Sequence, residues 1–130
     1  MRYMYWLLLA AAVAWLAYEL FGPIRGVRNV GPSRFARELA DAGPAGRMLI
    51  DVREPHEFAR GHIRGAVNIP LSELASRIGE IPTDRKIFLY CQSGMRSRRA
   101  ARMLSKRGCR DIVHLNGGLA AWRGETVNRD

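Results

Sequence analysis

The chain has 130 residues, enough for one domain that buries a core of its own without disulfide or metal staples. Its formal net charge is +9, nearly all from arginines spread along the chain, and no nucleic-acid-binding motif accompanies them, so no nucleic acid is expected as a partner. Two cysteines, no CxxC and three scattered histidines (His56, His62 and His114) argue against a metal site and leave the histidines as structural or surface groups.

The first stretch carries no charge between Arg2 and Glu19. An apolar run of about 18 or 19 residues is near the short end for crossing a hydrocarbon core of about 30 Å. Tyr3, Tyr5 and Trp6 stand at one end and Trp15, Tyr18 and Phe21 at the other, as suits rings at two membrane interfaces. A cleaved signal peptide fits less well. Its basic start would be a single arginine, and Trp15 interrupts the small-residue pair around Ala17. Residues 1–22 are therefore expected to form a single-pass transmembrane anchor, with 3–21 in the lipid. Only Arg2 precedes the run, whereas Arg25, Arg28, Arg34 and Arg37 follow it. The positive side stays in the cytoplasm, which places the rest of the chain on the cytoplasmic side of an inner or plasma membrane.

Residues 23–31 read as a turn-rich linker with a possible edge strand at 27–30. Gly31-Pro32-Ser33 opens a helix with Phe35, Ala36, Leu39 and Ala40 on its apolar side, ended by Ala42-Gly43-Pro44. Residues 48–52 form a short apolar run of buried-strand type. A short helix at 55–60 closes at Gly61, and a strand at 66–69 stops at Pro70. Ser72 is placed as the N-cap of a helix that faces Leu74, Ala75 and Ile78 inward. A turn at 82–85 leads to the strand at 87–90, which ends in Cys91. A loop, 91–96, runs into a helix from about Ser97 to Lys106, with Ala100, Ala101 and Leu104 inward. Gly108, a strand at 111–115, the Gly117-Gly118 turn and a last short helix with Trp122 complete the chain before a tail at 125–130. Strands alternating with helices predict an α/β fold with a central parallel sheet covered on both faces. Sites in such sheets lie beyond the carboxyl ends of strands, where Cys91 falls.

The surroundings of Cys91 suit a reactive thiol. A free thiol, with a pKa near ~8.5, is mostly protonated at neutral pH. A helix N-terminus offers unpaired N–H groups and partial positive charge, and a tight loop leading into it can form an anion-binding nest. Gly94 lets the backbone turn, and Arg96 adds a cation able to grip an anion in bidentate fashion. Cys91 is thus expected to be ionised, exposed and open to an anionic substrate. Cys109 lies before the following strand, at the opposite end of a parallel pair. A strand of five residues is roughly 16 Å long and a disulfide needs Cα atoms within about 7 Å, so Cys109 is expected to be a small core residue and not a partner of Cys91.

Cys91-Gln92-Ser93-Gly94-Met95-Arg96-Ser97 resembles the active-site loop of rhodanese-type sulfurtransferases. Further segments resemble that family in the same order: Leu49-Ile50-Asp51-Val52-Arg53-Glu54, the stretch from Gly61 to Pro70, and His114 to Trp122. The likeness covers residues 27–124, the expected rhodanese-like domain. It implies a fold with the parallel sheet described above. It also implies transfer of sulfane sulfur from a small anionic donor, such as thiosulfate or a persulfide, to a thiol or cyanide-like acceptor, a protein included. Cys91 would carry the sulfur as a persulfide; Gln92, Ser93, Gly94, Met95, Arg96 and Ser97 would line the pocket; Asp51 and Arg53 would brace it. No cofactor or metal is implied.

Two rivals share these residues. A membrane-tethered persulfide carrier serving one protein would need the same loop. Rhodanese-fold phosphatases and arsenate reductases also combine cysteine, anion-binding loop and arginine, but the phosphatases carry one more residue between cysteine and arginine than the four found here. The smaller loop favours sulfur over a tetrahedral phosphate.

Overall fold

The structure, a computed structural model, describes residues 2–129. A 20-residue helix, α1 (Arg2–Phe21), comes first; none of its residues is buried, and its last turn meets Arg98 and Arg102 of the domain. It is long and apolar enough to cross a membrane. The domain follows as β1 (Val27–Val30), α2 (Pro32–Ala42), β2 (Arg47–Asp51), α3 (Pro55–Arg60), β3 (His62–Ile63), β4 (Val67–Asn68), α4 (Leu71–Arg77), β5 (Lys86–Tyr90), α5 (Met95–Arg107), β6 (Ile112–Leu115), α6 (Gly118–Ala121) and β7 (Thr126–Val127).

Five strands form a parallel sheet in the order β1-β6-β5-β2-β4, with β5 at its centre. Alternate side chains of a strand point to opposite faces, so a strand covered on both sides is apolar throughout. In β5, Ile87 and Leu89, continued by Cys91, pack with Leu74, Ala100, Ala101 and Leu104 of α4 and α5. Phe88 and Tyr90 pack on the other face with Phe35 and Leu39 of α2 and with Trp122. The Phe35 ring meets Phe88 and Trp122 edge-on, at centroid distances of 5.4 and 5.9 Å. Leaving either face bare would expose large side chains that each gain about 1.5–3 kcal/mol from burial.

Several boundaries differ from the sequence expectation for local reasons. The helix after Cys91 begins at Met95, because Gly94 takes a left-handed conformation (φ 104°) and turns the chain at once into α5. Ser72 does not cap α4. Pro70 precedes the helix, Ser72 lies in its first turn, and its hydroxyl donates to Glu54 Oε1 at 3.0 Å. Thr126 and Val127, within the expected tail, form an antiparallel pairing with Val127 opposite His62 and Thr126 opposite Ile63. A two-residue strand has no periodicity to read.

Candidate active site

The site is assembled at the carboxyl end of β5. Cys91 is fully buried, contrary to the expected exposure, because the chain folds over it from two sides. From one side come the donors of its own loop: the Gly94 N–H reaches Cys91 Sγ at 3.0 Å and the Ser97 hydroxyl lies 3.2 Å away. From the other comes α6, whose Leu119 and Ala120 N–H groups donate to the carbonyls of Cys91 (2.8 Å) and Gln92 (3.0 Å). Gly118 makes that approach possible. Its φ is 63°, and a Cβ there would stand 2.6 Å from the oxygens of Cys91 and Gln92, inside any tolerable contact. The Gly117-Gly118 pair thus clamps the cysteine loop from behind as well as turning the chain.

Arg96 lies elsewhere than expected. Instead of standing free for an anion, it makes a bidentate bridge to Glu57, at 2.6 and 2.9 Å. Glu57 Oε1 also accepts the Glu54 N–H at the start of α3. The Arg96 guanidinium, foremost, holds the Glu57 carboxyl down at about 2. Sequence reasoning missed Glu57. Its place three residues after Glu54 marks a capping box, but nothing local reveals a partner 39 positions away.

Asp51 and Arg53 form a buried pair at the end of β2. The Asp51 carboxylate accepts from Arg53 Nη2 at 2.8 Å, from Nε at 3.1 Å and from the Arg53 backbone N–H at 2.8 Å. The same guanidinium donates to Gln92 Oε1 at 3.2 Å and to the Gly61 carbonyl at 2.6 Å. Arg53 thereby ties the cysteine loop to the end of α3 and borders a cleft of about 420 Å³ lined also by Glu57, Arg60, Gln92, Leu119 and Thr126. Gln92 faces this cleft. Ser93 is exposed on the loop, and Met95, 74% exposed, lines a different groove beside the end of α1. The loop, Asp51 and Arg53 are therefore brought together, with Met95 turned away.

His114, expected to be a structural or surface group, is a buried member of the site. It stands on β6, with Nε2 2.6 Å from Ser97 Oγ and Nδ1 2.7 Å from Asn29 Oδ1. Burial, with the nearby Arg98 charge adding to it, lowers its pKa to about 4, so the ring is neutral at pH 7. A neutral imidazole has one N–H. With Asn29 Oδ1 facing the ring, Nδ1–H donates to it, which leaves Nε2 to accept the Ser97 proton. A reversed Asn29 amide would place the proton on Nε2 and turn the Ser97 O–H toward Cys91 Sγ. Asn29, His114 and Ser97 thus form one chain of side chains ending at the sulfur. Its register is invisible in the sequence, since it depends on β1 pairing with β6, with Asn29 opposite His114. Cys109 is buried near the amino end of β6, and both cysteines are free thiols.

The sequence from 31 to 125 matches the family model of the Rhodanese-like domain. The chain belongs to the rhodanese-like family. A sulfurtransferase of Allochromatium vinosum is 35% identical over 96 residues, covering 74% of this chain and 88% of that protein. The uncharacterized protein YqhL of Bacillus subtilis is 55% identical over 84 residues, covering 65% of this chain and 67% of its own length. The crystal structure of a rhodanese-related protein from Thermoplasma volcanium superposes with a TM-score of 0.69 at 30% identity, over 78% of this chain and 99% of that one. A rhodanese-like domain with sulfurtransferase relatives supports sulfur transfer in general.

Proposed function

We propose that this rhodanese-like protein transfers sulfane sulfur through a persulfide on Cys91. The observation that carries the reading is the Gly94 N–H on Cys91 Sγ at 3.0 Å, with the Ser97 oxygen 3.2 Å from the same sulfur, at the mouth of a helix and within the family match. In the first step the Cys91 thiolate attacks the outer sulfur of a donor such as thiosulfate. A Cys91 S–S bond forms, the donor S–S bond breaks, and sulfite leaves with the electron pair. In the second step an acceptor thiolate or cyanide attacks the outer sulfur and the Cys91 thiolate departs. The Gly94 N–H stabilises negative charge on sulfur in both steps, joined by the Ser97 O–H in the tautomer that carries the His114 proton on Nε2. Because Glu57 neutralises Arg96, the backbone nest receives the anionic donor, and Arg96 holds the loop against α3. Asp51 and Arg53 brace Gln92.

The anchor reading belongs with this proposal. Helix α1 spans an inner or plasma membrane, residues 23–31 link it to the domain, and the domain lies on the cytoplasmic side. Complete burial of Cys91 supports a second reading, a tethered carrier that shields its persulfide and yields it to one protein.

Intact mass after thiosulfate exposure tests the chemistry. A gain of one sulfur, about 32 Da, with release of sulfite, loss to cyanide and absence in Cys91→Ala, is the expected result. No gain with thiosulfate or any persulfide donor sinks the proposal and brings phosphate esters and arsenate forward. Loading without turnover on small acceptors selects the carrier.

A further inference from the structure

The helix that begins at the cysteine loop concentrates basic side chains with no acidic one among them. Several cations elsewhere meet a carboxylate: Arg28, Arg34 and Lys86 share Glu38, Arg64 meets Glu125, and Arg77 meets Glu73 and Glu80. Helix α5 contains no acidic residue, and of its basic side chains Arg96 is the one paired with a carboxylate among the described residues. Arg98, Arg99, Arg102 and Lys106 follow it along the helix. Arg99 and Lys106 are exposed and make no hydrogen bond or ion pair among the described residues. Glu19 borders the groove that Arg25, Arg102 and Lys106 also line, so with Arg98 and Arg99 the local balance is five cations against one carboxylate.

The same stripe is fixed to the end of α1. Arg98 Nε donates to the Leu20 carbonyl at 2.6 Å, its Nη2 donates to the Gly22 carbonyl, and Arg102 Nη2 donates to the Glu19 carbonyl. A helix C-terminus presents unpaired carbonyls and partial negative charge, so guanidinium groups are apt caps for it. At 1.5 Å per residue a 20-residue helix is about 30 Å long, the thickness of a hydrocarbon core. If its first turn lies at one interface, its last turn lies at the other, and the α5 stripe is held there with it. A groove of about 320 Å³ opens at this level. Leu20, Phe21 and Met95 give it apolar walls, and Arg98, Arg99 and Arg102 give it charge. Phe21 and Met95 are each 74% exposed. Apolar side chains interleaved with cations that have no carboxylate partner match the boundary between acyl chains and phosphates.

We propose that Arg98, Arg99, Arg102 and Lys106 form a ledge that binds the phosphate groups of an anionic bilayer and holds the Cys91 loop at the membrane surface. The inference rests on α1 spanning that bilayer. It deepens the proposed function, because the ledge lies on the helix that the Cys91 loop runs into: α5 starts at Met95, just after that loop. The acceptor then reaches the site along the bilayer surface.

The full chain in bicelles containing a headgroup-spin-labelled lipid tests this by NMR. The lipid is phosphatidylcholine alone or with one quarter phosphatidylglycerol. With phosphatidylglycerol, amides of α5 should broaden severalfold more than those of α2, which packs on the other face of the sheet. Each basic residue near an anionic surface is worth about fivefold in local lipid binding, so the Arg99→Gln/Lys106→Gln pair should remove most of the excess. Both side chains are exposed, and the fold should persist. Equal broadening of α5 and α2 while both ends of α1 still broaden overturns the ledge and leaves the span intact. Equal α5 broadening with and without phosphatidylglycerol overturns the preference for anionic lipid. Failure of α1 to enter the bicelle removes the span and the ledge together.

Discussion

The two cysteines are equally buried and differently equipped. Cys91, at the carboxyl end of β5, has a backbone N–H and a hydroxyl within 3.2 Å of its sulfur. Cys109, before β6 at the other end of the sheet, has a long contact of 3.8 Å to the Pro82 carbonyl and apolar neighbours such as Leu104 and Ile112. Burial, the leading cause, pushes the Cys109 thiol above its ordinary pKa. On the proposed chemistry, burial alone would not decide whether a thiol reacts. The proposal gives that role to donors near the sulfur, which parallel sheets place at the carboxyl ends of strands, where loops turn into helix N-termini.

Exchanging each cysteine in turn is the sharpest way to break that comparison. Cys91→Ala should lower thiosulfate:cyanide turnover by at least about a thousandfold, the scale of losing a covalent nucleophile, with the circular dichroism spectrum unchanged. Turnover within tenfold of the parent would place the chemistry elsewhere. Next comes the clamp behind the loop. Gly118→Ala puts a methyl 2.6 Å from the Cys91 and Gln92 oxygens at a φ of 63°. It should cost on the order of 2 kcal/mol in stability and at least tenfold in turnover, by urea titration and cyanide assay. A neutral outcome would mean that α6 does not hold the loop.

How much of this was legible follows from range. The strands, most helices and the parallel sheet were readable because apolar runs and glycine or proline stops are local signals, as in Ile87–Tyr90 followed by Cys91 or Pro55–Arg60 closed by Gly61. The loop was readable because its residues are contiguous. The contacts that complete the site were not. Glu57 on Arg96, Arg53 on Gln92, and Asn29 on His114 on Ser97 each join residues far apart in the chain. Their partners are chosen by strand register and helix docking, which no short window encodes. The expectation of an exposed Cys91 failed for the same reason, since the covering N–H groups come from α6.

The His114 chain separates site from core by pH. A free imidazole titrates near 6.5, and the buried His114 only near 4. Between those values the unfolded chain binds a proton that the fold refuses, so this group's contribution is fully present above about pH 6.5 and is lost as pH falls toward 4. Each tenfold difference in proton affinity between the folded and unfolded chain is worth about 1.4 kcal/mol, so the loss is on the order of 3 kcal/mol. His114→Gln keeps a polar group beside Ser97 without the titration, and urea midpoints measured from pH 7.5 to 4 should lose that part of their slope. An unchanged slope would show that His114 is free to protonate in the fold. Glu57 works in a lower window: its depressed carboxyl lends stability above about pH 4.3 that disappears as pH falls toward 2, and Glu57→Gln should flatten only that region.

The smallest effect is expected at Cys109, and it completes the contrast. Removing its sulfur opens a small void among Leu104, Ile112 and their neighbours, which at the scale of one methylene costs roughly 1 kcal/mol. Cys109→Ala should therefore lower the urea midpoint slightly and leave cyanide turnover and persulfide loading within twofold of the parent. A tenfold loss of turnover with an unshifted midpoint would mean that the sulfur at the far end of the sheet communicates with Cys91, and the division of labour between the two ends of the sheet would have to be abandoned.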